Sequence, residues 1–238
     1  MHQLRKIKIW NLGILCAITF AAAPILVSAV DGAVFKLRHG DADSLAFDMA
    51  SYGLKFGDYL KAKVLFDRLI AAKPTDANLY AERGDCLSAL GHTDEAIADW
   101  TRAIEFLGGG GKELHDNRGM ALLSQGKALA AHSDFQLAVK LCDLEADKTR
   151  FLLHDAESLL YLNRLNESHE ICSTIIDKTD DKIAQSKIEQ IDHKLVKGQA
   201  LFIVSEIQKR RGQIALSKSN AATAQKLGIE KDYMIRQW

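Results

Sequence analysis

The chain has 238 residues, 47% hydrophobic and 26% charged, with 31 basic and 31 acidic residues. That composition supplies one or two globular units with a real core. Only 2 prolines and 7% aromatics argue for a helix-rich protein and against a β-sandwich.

The zero net charge hides two features. The first ten residues carry Arg5, Lys6 and Lys8 and no acid, and an apolar run, "LGILCAITFAAAPILVSA", follows. Pro24 breaks the run, and Val27 and Ala29 satisfy the small-residue rule for cleavage after Ala29. Residues 1–29 are therefore expected to be a signal peptide, with an uncleaved anchor as the alternative. "GILCA" around Cys16 lacks the small residues a lipoprotein signal places before its cysteine. Such a leader implies export, to a periplasm or the extracellular side of a Gram-negative bacterium. The second feature is an asymmetry: residues 30–181 hold 17 basic and 26 acidic residues, and 182–238 hold 11 and 5. An acidic body with a basic end, or complementary faces of one fold, both fit. Cys86, Cys142 and Cys172 remain after cleavage. An odd number without metal-clamp spacing reads as buried small hydrophobes.

Past a linker at 30–42, the chain repeats itself. Placing Gly119 on Gly84 superimposes Leu122 on Leu87, Gly126 on Gly91, Ala131 on Ala96, Phe135 on Trp100 and Ala138 on Ala103, an offset of 35 residues. Upstream, Ala50, Gly57, Ala62 and Phe66 fall on Gly84, Gly91, Ala96 and Trp100 at an offset of 34, and Pro74 closes the unit. A fourth unit keeps Ala156, Leu159 and Ile175 but has Asn163 at the turn, and Ser168 and Cys172 at the small and aromatic positions. Asn tolerates the left-handed backbone the turn glycine supplies, so the turn is expected to survive. Asp58, Thr93 and Asn166 are the expected N-caps of the second helices. From Asp181 to Arg211 apolar residues recur at helical intervals without a turn glycine, predicting one long helix. The segment from Gln213 to Gly228 makes its partner. Residues 229–238 form a tail expected to dock through Tyr233, Met234, Ile235 and Trp238, with an exposed apolar ligand segment as the alternative.

These residues resemble the tetratricopeptide repeat, a 34-residue helix–turn–helix unit. The resemblance covers 43–75, 76–110, 111–146 and, more weakly, 149–182. It implies an all-α, right-handed superhelical solenoid of about four repeats, capped by a long C-terminal helix pair at 183–228. Within each repeat the small residue on the first helix (Gly84, Gly119) and the alanine on the second let the backbones approach, and the ring fills the space beside them.

"GGGGKE" invites comparison with a phosphate-binding loop, but Phe106 stands where the first glycine belongs and Glu113 where the hydroxyl belongs. The four glycines read as an inter-repeat turn one residue longer than standard, and a hinge candidate. The His115-Asp116 and His154-Asp155 dipeptides occupy different registers, and neighbouring helical residues point apart, so both histidines are expected to be solvated or at a rim. No catalytic, metal or cofactor constellation is present, and a non-enzyme is expected.

The resemblance further implies that first helices line a concave groove for a partner segment. On this chain those positions are Phe47, Ser51 and Leu54; Ala81, Asp85 and Ser88; Asp116, Met120 and Leu123; and Leu153, Glu157 and Leu160. The lysine, asparagine and arginine clamp of the chaperone-binding members is absent. Acids among apolar sites imply a protein or peptide partner with basic and apolar residues, and neither nucleic acid nor, beyond the leader, membrane. Two alternatives are a structural subunit docking through the basic C-terminal pair and a solenoid for small ligands or glycans. For the latter, Phe47 and Tyr161 are the only aromatic candidates.

Overall fold

The computed structural model describes residues 42–185 and 190–229. The leader, most of the linker and the tail beyond Ile229 lie outside the described residues. Among the described residues there are ten helices and no strand. They fall into two compact units that divide after Ala72.

The first unit contains one helix pair, α1 (Ala42–Lys55) and α2 (Tyr59–Ala72). Gly57 adopts φ 84°, and the Asp58 amide donates back to the Gly53 carbonyl at 2.7 Å, closing the turn. The pair buries Ala50, Ala62 and Phe66 completely. Gly53 makes this close approach possible: a Cβ there would stand 3.3 Å from that of Ala62.

The second unit holds four further pairs: α3 (Ala77–Ala89) with α4 (Thr93–Phe106), α5 (Lys112–Ser124) with α6 (Ala128–Lys140), α7 (Glu145–Tyr161) with α8 (Leu165–Gln185), and α9 (Gln190–Arg210) with α10 (Ile214–Lys226). Every pair closes in the same way. The residue after the turn donates its amide to the first helix's third-last carbonyl: His92 to Leu87, Lys127 to Leu122, Arg164 to Leu159 and Gln213 to Gln208, at 2.8–2.9 Å. The residue just before it takes the left-handed conformation: Gly91, Gly126, Asn163 and Gly212, with φ between 59° and 80°. Asn163 thus does what the aligned glycines do, as its short polar side chain allows.

The aligned small residues sit where the repeat requires them. A Cβ on Gly84 would lie 2.7 Å from Trp100 Nε1, and one on Gly119 would lie 2.7 Å from Phe135 Cε1. Each ring therefore lies flat against its own repeat's glycine. It also reaches the next repeat: Trp100 shares a core with Leu114, and Phe135 packs beside Leu162. In the fourth repeat Ser168 and Cys172 are fully buried. The Ser168 hydroxyl is satisfied by the Ala156 carbonyl at 2.6 Å, which makes a polar residue tolerable there. All three cysteines past the leader are buried thiols outside any disulfide, and burial pushes the Cys172 thiol up to about 12.

Several expectations are corrected. Thr93 and Asn166 are not caps; they lie in the first turns of α4 and α8. The capping positions are His92 and Arg164, whose carbonyls accept the amides of Ala96 and Ser168. Asp58 does precede α2, but its carboxylate pairs with Lys61 at 2.7 Å. Asp76 does cap α3 through its side chain, accepting the Asn78 amide at 3.0 Å. The long helix expected over 181–211 is two: residues 181–185 complete α8, and α9 begins at Gln190. Ile229 packs onto Gly198, so the tail's first residue docks.

Candidate functional site

The second unit carries an open groove of about 910 Å³ across its first helices α3, α5 and α7. Of the expected groove positions, Asp85, Ser88, Asp116 and Met120 line it, joined by Glu113, Asn117, Arg150 and His154. The others lie elsewhere. Leu123, Leu153 and Leu160 are core residues, exposed by 5% or less. Ala81 packs against the core around Trp100. Glu157 is buried, with Oε1 lacking a hydrogen bond. Phe47, Ser51 and Leu54 belong to the first unit, where Phe47 meets Phe66 edge-on at 6.1 Å and the buried Ser51 Oγ has no partner.

The three expected acids behave differently. Asp85 receives Trp100 Nε1 at 3.0 Å and Asn117 Nδ2 at 3.1 Å, both on Oδ1. Burial raises its pKa above the usual carboxylate range, and those two donors partly offset the rise. Asp116 is committed within the protein: His154 Nδ1 lies 2.6 Å from its Oδ1, and Arg150 Nε stands 3.8 Å from Oδ2. Glu157 has no compensating donor, and burial lifts it to about 7, with His154 easing the rise.

Beneath the groove lies a polar layer that the sequence reading missed. Arg83 grips Asp99 through two bonds of 2.7 Å, joining the first and second helices of one repeat. Arg118 grips Asp134 in the same way, at 2.8 and 2.7 Å, and also donates to Thr101. Forked pairs of this kind are the strong form of the ion pair. The signal was present: Arg83 and Arg118 each precede an aligned glycine, while Asp99 and Asp134 each precede an aligned ring.

His115 and His132 are likewise part of this layer; His115, expected to be solvated or at a rim, is buried, while His154 lines the groove. His115 is 2% exposed. Its Nδ1 faces Asp134 Oδ1 at 3.2 Å and its Nε2 faces the Gly109 carbonyl at 3.1 Å. Both partners are acceptors, so both bonds coexist only when both ring nitrogens carry protons. Burial raises the Asp134 pKa, but Arg118 and His115 outweigh it and hold the carboxyl below its ordinary range. His132 shows the opposite pattern. Its Nε2 meets Arg164 Nη1, which can only donate, so Nδ1 carries the proton toward Asp155. The Gly108–Gly111 run lies inside the second unit, anchored through Gly109 to His115.

Among the described residues no cluster of three or more His, Cys, Asp or Glu could hold a metal ion.

The fold is the all-α tetratricopeptide-repeat fold. Residues 65–98 match the family model of the tetratricopeptide repeat. The chain is similar in fold to BtubC from P. vanneervenii, with a TM-score of 0.63 at 13% identity, covering 90% of this chain and 92% of that one. Residues 41 to the end of MamA from Desulfovibrio magneticus RS-1 superimpose with a TM-score of 0.62 at 14% identity, over 79% and 96% of the two chains. YrrB, described as a TPR protein with an unusual peptide-binding site, gives a TM-score of 0.58 at 13% identity, over 84% and 94%. Comparison with curated proteins by sequence returned no match.

Proposed function

We propose that the chain is a non-catalytic interaction scaffold that seats an extended segment of a partner protein in the groove of α3, α5 and α7. One observation carries the reading: three successive first helices present polar side chains with free bonding capacity (Asp85, Asn117, Arg150, His154) around the half-buried Met120. A floor of this sort recognises a chain by hydrogen bonds and one apolar contact rather than by a deep pocket. The fold of YrrB, whose description names a peptide-binding site, agrees with this use. Export by the leader at 1–29, with work in a periplasm or outside the cell, is part of the same proposal and rests on the sequence alone.

Photo-crosslinking tests the groove. The exposed Ser88 and Ser124 line it, and the exposed Ser219 lies on α10, away from it. With a photoreactive residue at each position in the native host, discrete adducts are expected from Ser88 and Ser124 and not from Ser219. Equal labelling from all three sites, or labelling from Ser219 alone, would refute the assignment.

A further inference from the structure

The groove is charged oppositely at its two sides, and from this we infer that its ligand carries a cationic side chain and a carboxylate a few residues apart. The inference rests on the groove being the binding surface and specifies what it reads.

On the α3 side, both donors to Asp85 reach Oδ1, which leaves Oδ2 without a hydrogen bond in a half-buried, partly desolvated carboxylate. Such an oxygen is an acceptor in need of a cation, because its own neighbours are a neutral indole and a neutral amide. Glu113 of α5 also lines the groove, but its side chain, 58% exposed, is paired with Lys112 at 3.6 Å and leaves Asp85 as the carboxylate without a cation. On the α7 side the arrangement is reversed. Asp116 anchors His154 Nδ1 and stands close to Arg150 Nε, while the terminal nitrogens of Arg150 and Nε2 of His154 make no hydrogen bond within the protein. Arg150 is half-exposed, its guanidinium 4.9 Å from the Phe151 ring centroid. A guanidinium held this way offers its two-pronged face to a carboxylate. Asp116 therefore orients the donors and does not serve the ligand, so the ligand carries a carboxylate beside the basic and apolar residues expected of it.

The two sides flank α5. Two interaxial steps of about 8–10 Å separate α3 from α7, and side chains leaning in from both walls shorten the span between the facing groups to on the order of 10–15 Å. An extended segment advances roughly 3.3 Å per residue, so the cation and the carboxylate are about three to five residues apart, with an apolar residue between them over Met120. A free amino acid is too short to reach both sides.

The test is a selection of capped random dodecapeptides on the full chain and on two variants. Asp85→Asn keeps the bonds to Trp100 and Asn117, and Arg150→Gln changes a half-exposed side chain while leaving Asp116 its bond to His154, so both are expected to fold, which circular dichroism checks. Peptides selected on the unaltered chain are expected to pair Lys or Arg with Asp or Glu at the spacing given. Asp85→Asn should bind them about tenfold more weakly and cease to select the basic residue, while Arg150→Gln ceases to select the acidic one. Peptides that crosslink at Ser88 but lack the paired charges, or that bind both variants unchanged, overturn this inference while leaving the groove standing. Peptides that bind without crosslinking at Ser88 or Ser124 overturn both.

Discussion

Arg118 and Asp134 meet through two parallel hydrogen bonds of 2.8 and 2.7 Å, and the buried ring of His115 closes on the same carboxylate. Two donors from α5 thus share one acid from α6, and the acid is 3% exposed. Removing Asp134 takes that acceptor from the buried His115 Nδ1 and from the part-buried Arg118 fork, leaving them only Gly109 and Thr101. Asp134→Ala is expected to cost about 3 kcal/mol, in the range for breaking one side of a buried pair. The double replacement Arg118→Met, Asp134→Leu should recover much of that. Urea titration followed by circular dichroism measures both, and a loss below about 1 kcal/mol for the single variant would show the pair to be dispensable.

Glu157 sets a pH dependence of its own. Its carboxyl is raised from 4.5 to about 7, chiefly by burial. A carboxyl raised by folding is protonated in the native state and must ionise as pH rises. Its penalty is therefore absent below the unfolded value and grows as pH passes from about 4.5 to about 7. Taken alone, Glu157 withholds on the order of 3 kcal/mol at alkaline pH. Replacing it with Gln should raise the melting temperature at pH 8 and change little at pH 4.5. A variant that loses stability equally at both values would contradict this.

The contact between Gly119 and Phe135 leaves no room for a methyl group. Gly119→Ala places a Cβ 2.7 Å from the ring, at a fully buried position. About 1–3 kcal/mol of destabilisation is expected from overpacking. Shortening the ring with Phe135→Leu should offset part of it, so the double variant is expected to be more stable than the sum of the two changes predicts. Additive losses in a thermal melt would argue that the glycine is not packed by that ring.

His115 anchors the carbonyl of Gly109, a residue at φ 90° in a loop whose Gly108, Gly109 and Gly110 amides bond back to Glu105, Ile104 and Leu107. His115→Leu keeps a buried apolar group and removes that anchor. Hydrogen exchange measured by mass spectrometry should accelerate over 108–111 more than over α4 or α6. Unchanged exchange in the loop would mean the glycines are held by their backbone bonds alone.

The repeat itself was readable because packing demands recur: a glycine under a ring, and an alanine where helices touch. Those demands are local, so Gly84 with Trp100 and Gly119 with Phe135 could be paired from spacing. The groove was half readable. Asp85, Ser88, Asp116 and Met120 line it, because the repeat register fixes which way a first-helix residue points. What register cannot tell is whether a neighbouring helix answers that residue. Asp116 is met by His154 thirty-eight positions on, whereas Glu157 Oε1 finds no hydrogen-bond donor. The ion pairs went unseen because charged residues on amphipathic helices usually face water. Only the shared offset of 35 between Arg83–Asp99 and Arg118–Asp134 marks them out.

That shared offset has a consequence for how the gene can lengthen or shorten. Because Arg83 stands to Asp99 as Arg118 stands to Asp134, deleting residues 85–119 would bring Arg83 opposite Asp134 and Gly84 under Phe135. The joined helix would keep its staple and its packing, and the shortened protein is expected to fold. It would lack Asp85, Asp116 and Asn117 together, leaving Arg150 and His154 nothing to lean on. Architecture and recognition are thus written on separate faces of the same helices, so the array can change its length without inheriting its ligand.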